Sequence, residues 1–126
     1  MSRKHVPHIA VDLDGTLAHY DTWKGVQHIG TPIPAMVERV KAALARGWKV
    51  SIFTARVSGL HDGEFGDSRE AKGFIEDWCI EHLGRLLPVT AVKHGYFTEF
   101  WDDRAVRVRS NEGINVYGGA LWDELG

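Results

Sequence analysis

An apolar run that stops on two aspartates constrains this chain more than any other feature: Ile9-Ala10-Val11-Asp12-Leu13-Asp14-Gly15-Thr16-Leu17-Ala18. Consecutive apolar residues without polar alternation describe a strand buried on both faces, as in parallel sheets. Carboxylates at the end of such a strand are costly to desolvate unless a cation or hydrogen-bond donors compensate them. Side chains at i and i+2 of an extended chain share a face, so the spacer Leu13 aims Asp12 and Asp14 into one site. Gly15 permits a sharp turn behind them. Two like charges this close require a divalent cation or a retained proton, and either outcome is chemistry. Calcium loops also carry Asp-x-Asp-Gly, but they need further oxygen ligands at alternate positions and a glutamate at the twelfth. Here Thr16 and Ala18 occupy the next alternate positions, and an apolar strand precedes the motif. An inert Asp-Gly turn leaves Asp12 unexplained.

The rest of the chain alternates in a way that repeats this ending. A first strand is expected over residues 8–13, followed by a polar, aromatic and glycine-containing loop or small hairpin over 18–32. If that segment moves, Gly25 and Gly30 are its expected hinges. Pro34 stands where a helix favours proline, Met36, Val37, Val40, Ala43 and Leu44 form one apolar stripe, and Gly47 stops the helix. A second strand over 48–53 ends at Thr54-Ala55-Arg56. Residues 57–66, with three glycines and two acids, read as a mobile loop. Asp67-Ser68-Arg69-Glu70 fits a capping box for a helix running to about Leu83. Further strands are expected at 88–92, ending at Lys93, at 99–101, ending at Asp102-Asp103, and at 114–117. Strands alternating with helices predict an α/β fold with a doubly wound, parallel five-stranded sheet. Asp12/Asp14, Thr54, Lys93 and Asp102/Asp103 would then all sit at carboxyl ends of strands, the edge where open α/β sheets bind ligands.

Bulk properties narrow the class. The chain has 126 residues, enough for a single domain over 1–126 with a real core. A net charge of −2 gives no global basic character for nucleic acid and no acidic excess for disorder. No apolar stretch reaches membrane-spanning length, so no membrane partner is expected. Met-Ser-Arg-Lys-His lacks an apolar signal core, so a cytoplasmic protein is expected. The single cysteine, Cys79, cannot form an internal disulfide and lies in a helical pattern, where it reads as a small buried apolar group. The seven histidines lack zinc-site spacing.

On these residues the chain resembles the haloacid dehalogenase superfamily of aspartate-nucleophile phosphohydrolases. Asp12-Leu13-Asp14-Gly15-Thr16 stands for the first family motif, Thr54 for the second, Lys93 for the third and Asp102-Asp103 for the acidic fourth. The resemblance implies a Rossmann-like sheet and an Mg²⁺-dependent phosphomonoester hydrolase working through an aspartyl-phosphate. Asp12 would be the nucleophile and Asp14 the general acid–base. Asp12, Asp102 and the backbone of Asp14 would hold Mg²⁺, with Asp103 binding through water or orienting Asp102. Thr54 and the amides near Leu13 and Asp14 would grip the phosphoryl oxygens, and Lys93 would neutralise phosphate. Only a short stretch separates Lys93 from Asp102, so Arg56 or Arg104 are alternative sources of that charge. The gap after the first motif holds too few residues for a folded cap, and the second is filled by the helix that the sheet needs. A capless member with an open site is therefore expected.

Phe53-Thr54-Ala55-Arg56 and Trp101-Asp102-Asp103-Arg104-Ala105 also resemble the 3′-phosphatase domain of phage polynucleotide kinases. That likeness implies a phosphorylated small molecule or a nucleic-acid end as substrate, with Arg56 and Arg104 flanking the site. Tyr20, Trp23 and Trp101 would offer stacking surfaces. A small deoxynucleotidase, a phosphotransferase and a non-catalytic metal- or partner-binding module remain open alternatives. The sequence leaves the oligomeric state undecided.

Overall fold

The computed structural model describes residues 5–62 and 65–126. Strand β1 (His8–Asp12) forms the inner rung of a four-stranded parallel sheet with β2 (Lys49–Phe53), β3 (Val89–Thr90) and β4 (Glu99–Trp101), in the order β3-β2-β1-β4. Asp12 lies in register with Phe53, and Val11 lies opposite Trp101, so β1, β2 and β4 end side by side. The two strands that carry the acidic motifs are neighbours although distant in sequence. That adjacency brings Asp102 and Asp103 to Asp12.

Helix α1 (Pro34–Ala45) begins on Pro34 as expected and ends at Gly47, whose φ of 82° suits only a residue without a side chain. It buries Val40 and Ala43. Helix α3 (Phe65–Leu83) packs against α1 and buries Ala71, Ile75, Trp78 and Cys79. These residues meet Ile9, Val11, Val50 and Ile52 in one continuous core, in which each fully buried branched side chain contributes about 1.5–3 kcal/mol.

Helices on both faces are the expectation, and the structure meets it on one face. No helix lies between β3 and β4, and the link 91–98 covers the second face with rings. Phe97 packs on Phe53, Phe100 and His8, while His8 and His94 stack on Tyr96. His8 Nε2 bonds the buried Ser51 Oγ at 2.7 Å, satisfying a polar group inside the sheet.

The expected fifth strand over 114–117 is corrected: the sheet has four. The twelve residues between β4 and Ile114 contain no helix to carry the chain back to the sheet edge, so no crossover forms. Positive φ angles at Asn111 and Gly113 instead fold the segment back on itself. The Arg109 amide bonds the Ile114 carbonyl at 2.7 Å, and the Val116 amide bonds Arg107 at 2.9 Å. The result is an exposed hairpin leading to the short helix α4 (Ala120–Glu124).

Two more expectations change. The loop expected over 57–66 is partly helical: a 3-10 turn at Ala55–Val57 runs into α2 (Ser58–Asp62), while residues 63 and 64 lie outside the described residues. The capping box at Asp67 is overridden because α3 already begins at Phe65. Ser68 Oγ instead accepts the Gly59 amide at 2.9 Å, in the buried seam between α2 and α3. Tertiary contact outweighs the local signal there. The third strand is also shorter than the expected 88–92.

Candidate active site

A cleft of about 690 Å³ opens at the carboxyl edge of the sheet. Its wall includes Asp12, Asp14, Thr54, Arg56, Asp102, Asp103 and Arg104, with Tyr20, Trp23, Val26 and Phe53 on the apolar side. Sequence reasoning placed most of these residues in one site, and the fold gathers them there.

The acids divide into two groups. Asp12, Asp102 and Asp103 each offer an oxygen within 4.8 Å of the others, a spacing able to hold a metal ion. Burial, then the charges of Asp102 and Asp103, push the Asp12 carboxyl up to about 7. Thr16 ties this group together. Its hydroxyl lies 3.3 Å from both Asp12 Oδ2 and Asp103 Oδ1 as donor, and accepts the Asp103 amide at 3.0 Å. Thr16 carried no separate role in the sequence reading, and its place directly after Asp-Gly was the available signal. Gly15, at φ 89°, approaches Asp103 so closely that a Cβ would collide with that carboxylate. Asp102 Oδ1 accepts the Arg104 amide at 2.7 Å, which fixes the turn leaving β4.

Asp14 is held differently. Arg56 grips both of its oxygens, Nε to Oδ2 at 2.8 Å and Nη2 to Oδ1 at 2.9 Å, in the two-pronged geometry that makes such pairs strong. The Arg56 side chain is only 5% exposed and Asp14 21%. Thr54 sets this up locally: its side chain caps the turn after β2 by accepting the Arg56 amide at 3.2 Å. Asp14 itself is not among the three clustered acids.

Other expected residues fall variously. Leu13 buries its side chain completely, and its carbonyl accepts the amides of Thr16, Leu17 and Ala18, so it can serve a ligand only through its own amide. Lys93 is exposed, with Nζ 5.3 Å from the centroid of the Phe100 ring, and is not among the described residues lining the cleft. Arg56 and Arg104 stand there instead. Trp101 packs against the core and bonds Glu99 Oε1, so of the three expected stacking rings only Tyr20 and Trp23 reach the cleft. At Gly30, one of the two expected hinges, a Cβ would collide with the His19 carbonyl. Close backbone packing explains this glycine.

No helix among the described residues is long and apolar enough to cross a membrane. No family model matches the chain, and no curated protein matches it. A solved structure of a conserved protein from Bacteroides thetaiotaomicron is similar, at 23% identity and a TM-score of 0.52, over 96% of this chain and 90% of that one. At that identity the likeness speaks for the α/β fold alone.

Proposed function

We propose that the chain is an Mg²⁺-dependent phosphomonoester hydrolase with Asp12 as nucleophile and Asp14 as general acid–base. The observation that carries this reading is the division of the acids: three carboxylates crowded together, and a fourth set apart on a guanidinium. The crowded group fits a hard divalent cation, because burial and then repulsion from Asp102 and Asp103 hold Asp12 near 7, a penalty that a cation would reduce. Asp12, Asp102 and Asp103 would hold the ion, with Asp14 contributing through its backbone. Bound there, Mg²⁺ supplies charge neutralisation for the phosphoryl oxygens.

In this reading Asp14 starts the step protonated, with one oxygen released from Arg56. An Asp12 oxygen attacks phosphorus as the bond from phosphorus to the leaving oxygen breaks, and Asp14 delivers its proton to that oxygen. Asp14 then takes a proton from water as the water oxygen attacks phosphorus, releasing Asp12 and inorganic phosphate. Thr54, the Leu13 amide and Arg104 serve the phosphoryl oxygens by position and charge, while Arg56, expected among them, is committed to Asp14 and the strap carbonyls. Lys93 is a weaker candidate for that charge than Arg104.

The test is hydrolysis of an aryl phosphate with and without Mg²⁺, in the native chain and in Asp12→Asn. The expected result is metal-dependent turnover that falls on the order of 10⁴-fold in the variant. Turnover that survives the substitution assigns the nucleophile elsewhere. Mg²⁺ binding without turnover of any phosphoester favours a non-catalytic metal-binding module.

A second reading narrows the substrate. Tyr20 and Trp23 expose planar faces on the cleft beside Arg104, which suits a phosphate carried on a nucleoside or at a polynucleotide end. A 3′-phosphorylated oligonucleotide should then turn over faster than a sugar phosphate. A free deoxynucleotide outpacing the oligonucleotide would mark a small nucleotidase.

A further inference from the structure

We propose that Arg56 couples the 18–32 strap over the cleft to Asp14, making Trp23 a positioning residue for a carboxylate it does not touch. The inference rests on the reading of Asp14 as the general acid–base. It begins with a contrast inside the strap. The base is rigid: the His19 amide bonds Thr31, the Ile33 amide bonds Leu17, Ala18 is fully buried, and Trp78 Nε1 donates to Gly30 at 3.0 Å.

The tip is held otherwise. Its own ties are a Gly25–His28 backbone bond, the Thr22 amide on Asp21 Oδ1 and an exposed Lys24–Asp21 pair, with Val26 partly packed on the core. Three contacts with the site converge on one guanidinium. Arg56 Nη1 donates to the Val26 carbonyl at 3.3 Å, Nη2 donates to the His28 carbonyl at 3.0 Å, and the group lies 4.7 Å from the Trp23 ring centroid.

The same planar fork holds both Asp14 oxygens. Nη2 is shared, donating to His28 on one side and to Asp14 Oδ1 on the other. The donors of a guanidinium are fixed relative to one another, so the plane cannot follow the tip outward and keep both bonds to Asp14. With the strap down, backing from Trp23 and the two carbonyls sets the orientation of Asp14. With the tip lifted, Arg56 loses those three contacts and Asp14 loses its alignment. A ligand filling the space under Tyr20, Trp23 and Val26 therefore adds contacts that hold the strap in the position that aligns Asp14.

Two measurements on the full chain test this. The first is hydrogen exchange of the strap amides in the metal-free protein, which needs no activity. In Asp14→Asn and in Arg56→Lys, exchange at residues 20–28 should rise about tenfold while the base at 17–19 and 31–33 stays unchanged. Unchanged exchange at the tip in both variants overturns the coupling. The second is kinetics on an aryl phosphate. Trp23→Ala should lower kcat about tenfold with KM nearly constant, and Trp23→Phe, which keeps a ring face for the guanidinium, should restore it. A raised KM at constant kcat makes Trp23 only a wall of the cleft and overturns its positioning role. If no variant nor the native chain hydrolyses phosphoesters, the functional reading fails, while the exchange result still decides the coupling.

Discussion

Asp12 and Asp14 differ by one intervening residue and live in opposite electrostatic worlds. Asp12 sits among like charges, and burial first, then Asp102 and Asp103, keep its carboxyl near 7. Asp14 sits on a nearly buried guanidinium that takes both its oxygens. One half of the site is thus short of positive charge, and the other has its compensation built in. The difference arises from sheet order: β4 beside β1 delivers acids, whereas the turn after β2 delivers Arg56. A site organised this way leaves crowded carboxylates on one side and a carboxylate already paired on the other.

Several measurements break or sharpen that contrast. The largest effect should come from Mg²⁺ itself. At about 100-fold over its dissociation constant the ion should stabilise the native chain by about 2.7 kcal/mol. Calorimetry should show that gain vanish in Asp102→Asn, and an equal gain in the variant would move the ion elsewhere. Next comes Asp14→Asn, which leaves Arg56 without its carboxylate. Denaturant unfolding should show a loss of about 2 kcal/mol, below the cost for a fully buried pair because Asp14 keeps some solvent. Asp102→Asn without metal should act in the opposite sense, stabilising by about 1 kcal/mol at pH 8, where Asp12 is charged. Two neutralisations of opposite sign would establish the contrast, and a loss in both would dissolve it.

The pH dependence is smaller and has a definite sign. A carboxyl held near 7 in the fold but at 3.8 when unfolded binds its proton more tightly in the native state. Its stabilising contribution is complete below 3.8 and disappears as pH rises through about 7. Metal-free stability should therefore decline across that window relative to Asp12→Asn. At the other end of β1, burial first, then Lys49 and His94, hold His8 below its ordinary value of 6.5. His8 acts in the reverse direction: the unfolded chain binds protons more readily, so stability falls as pH drops below 6.5. This slope should be visible in Asp12→Asn, where the larger opposing slope is gone, and absent when His8→Gln is added.

Much of this was legible in the chain. The apolar run ending on Asp12 and Asp14 has one physical solution, a buried parallel strand with its acids at the carboxyl edge, and the structure contains it. Pro34 and Gly47 bracket α1, and Cys79 is buried in α3, because proline, glycine and apolar spacing act over a single helical turn. Thr54, Asp102 and Asp103 also reached the cleft, since each follows a short apolar strand. The misses share a different cause. Residues 114–117 have strand propensity, yet the positive φ turn at Asn111 and Gly113 pairs them with 107–109 as a local hairpin and keeps them off the sheet. Ser68 looked like part of a cap and instead serves Gly59 across a helix seam.

Local pattern determined which residues are extended, which are helical, and that acids, a hydroxyl and cations would gather at one sheet edge. Tertiary structure alone decided how those charges are shared. The sequence treats Lys93, Arg56 and Arg104 as alternative cations, because charge carries no direction along a chain. The fold chooses Arg56 for Asp14 since the turn capped by Thr54 points that side chain beneath the strap, and leaves Lys93 over Phe100. Hydrogen bonding and ion pairing act within a few ångströms, and only the order of the strands settles which residues come that close.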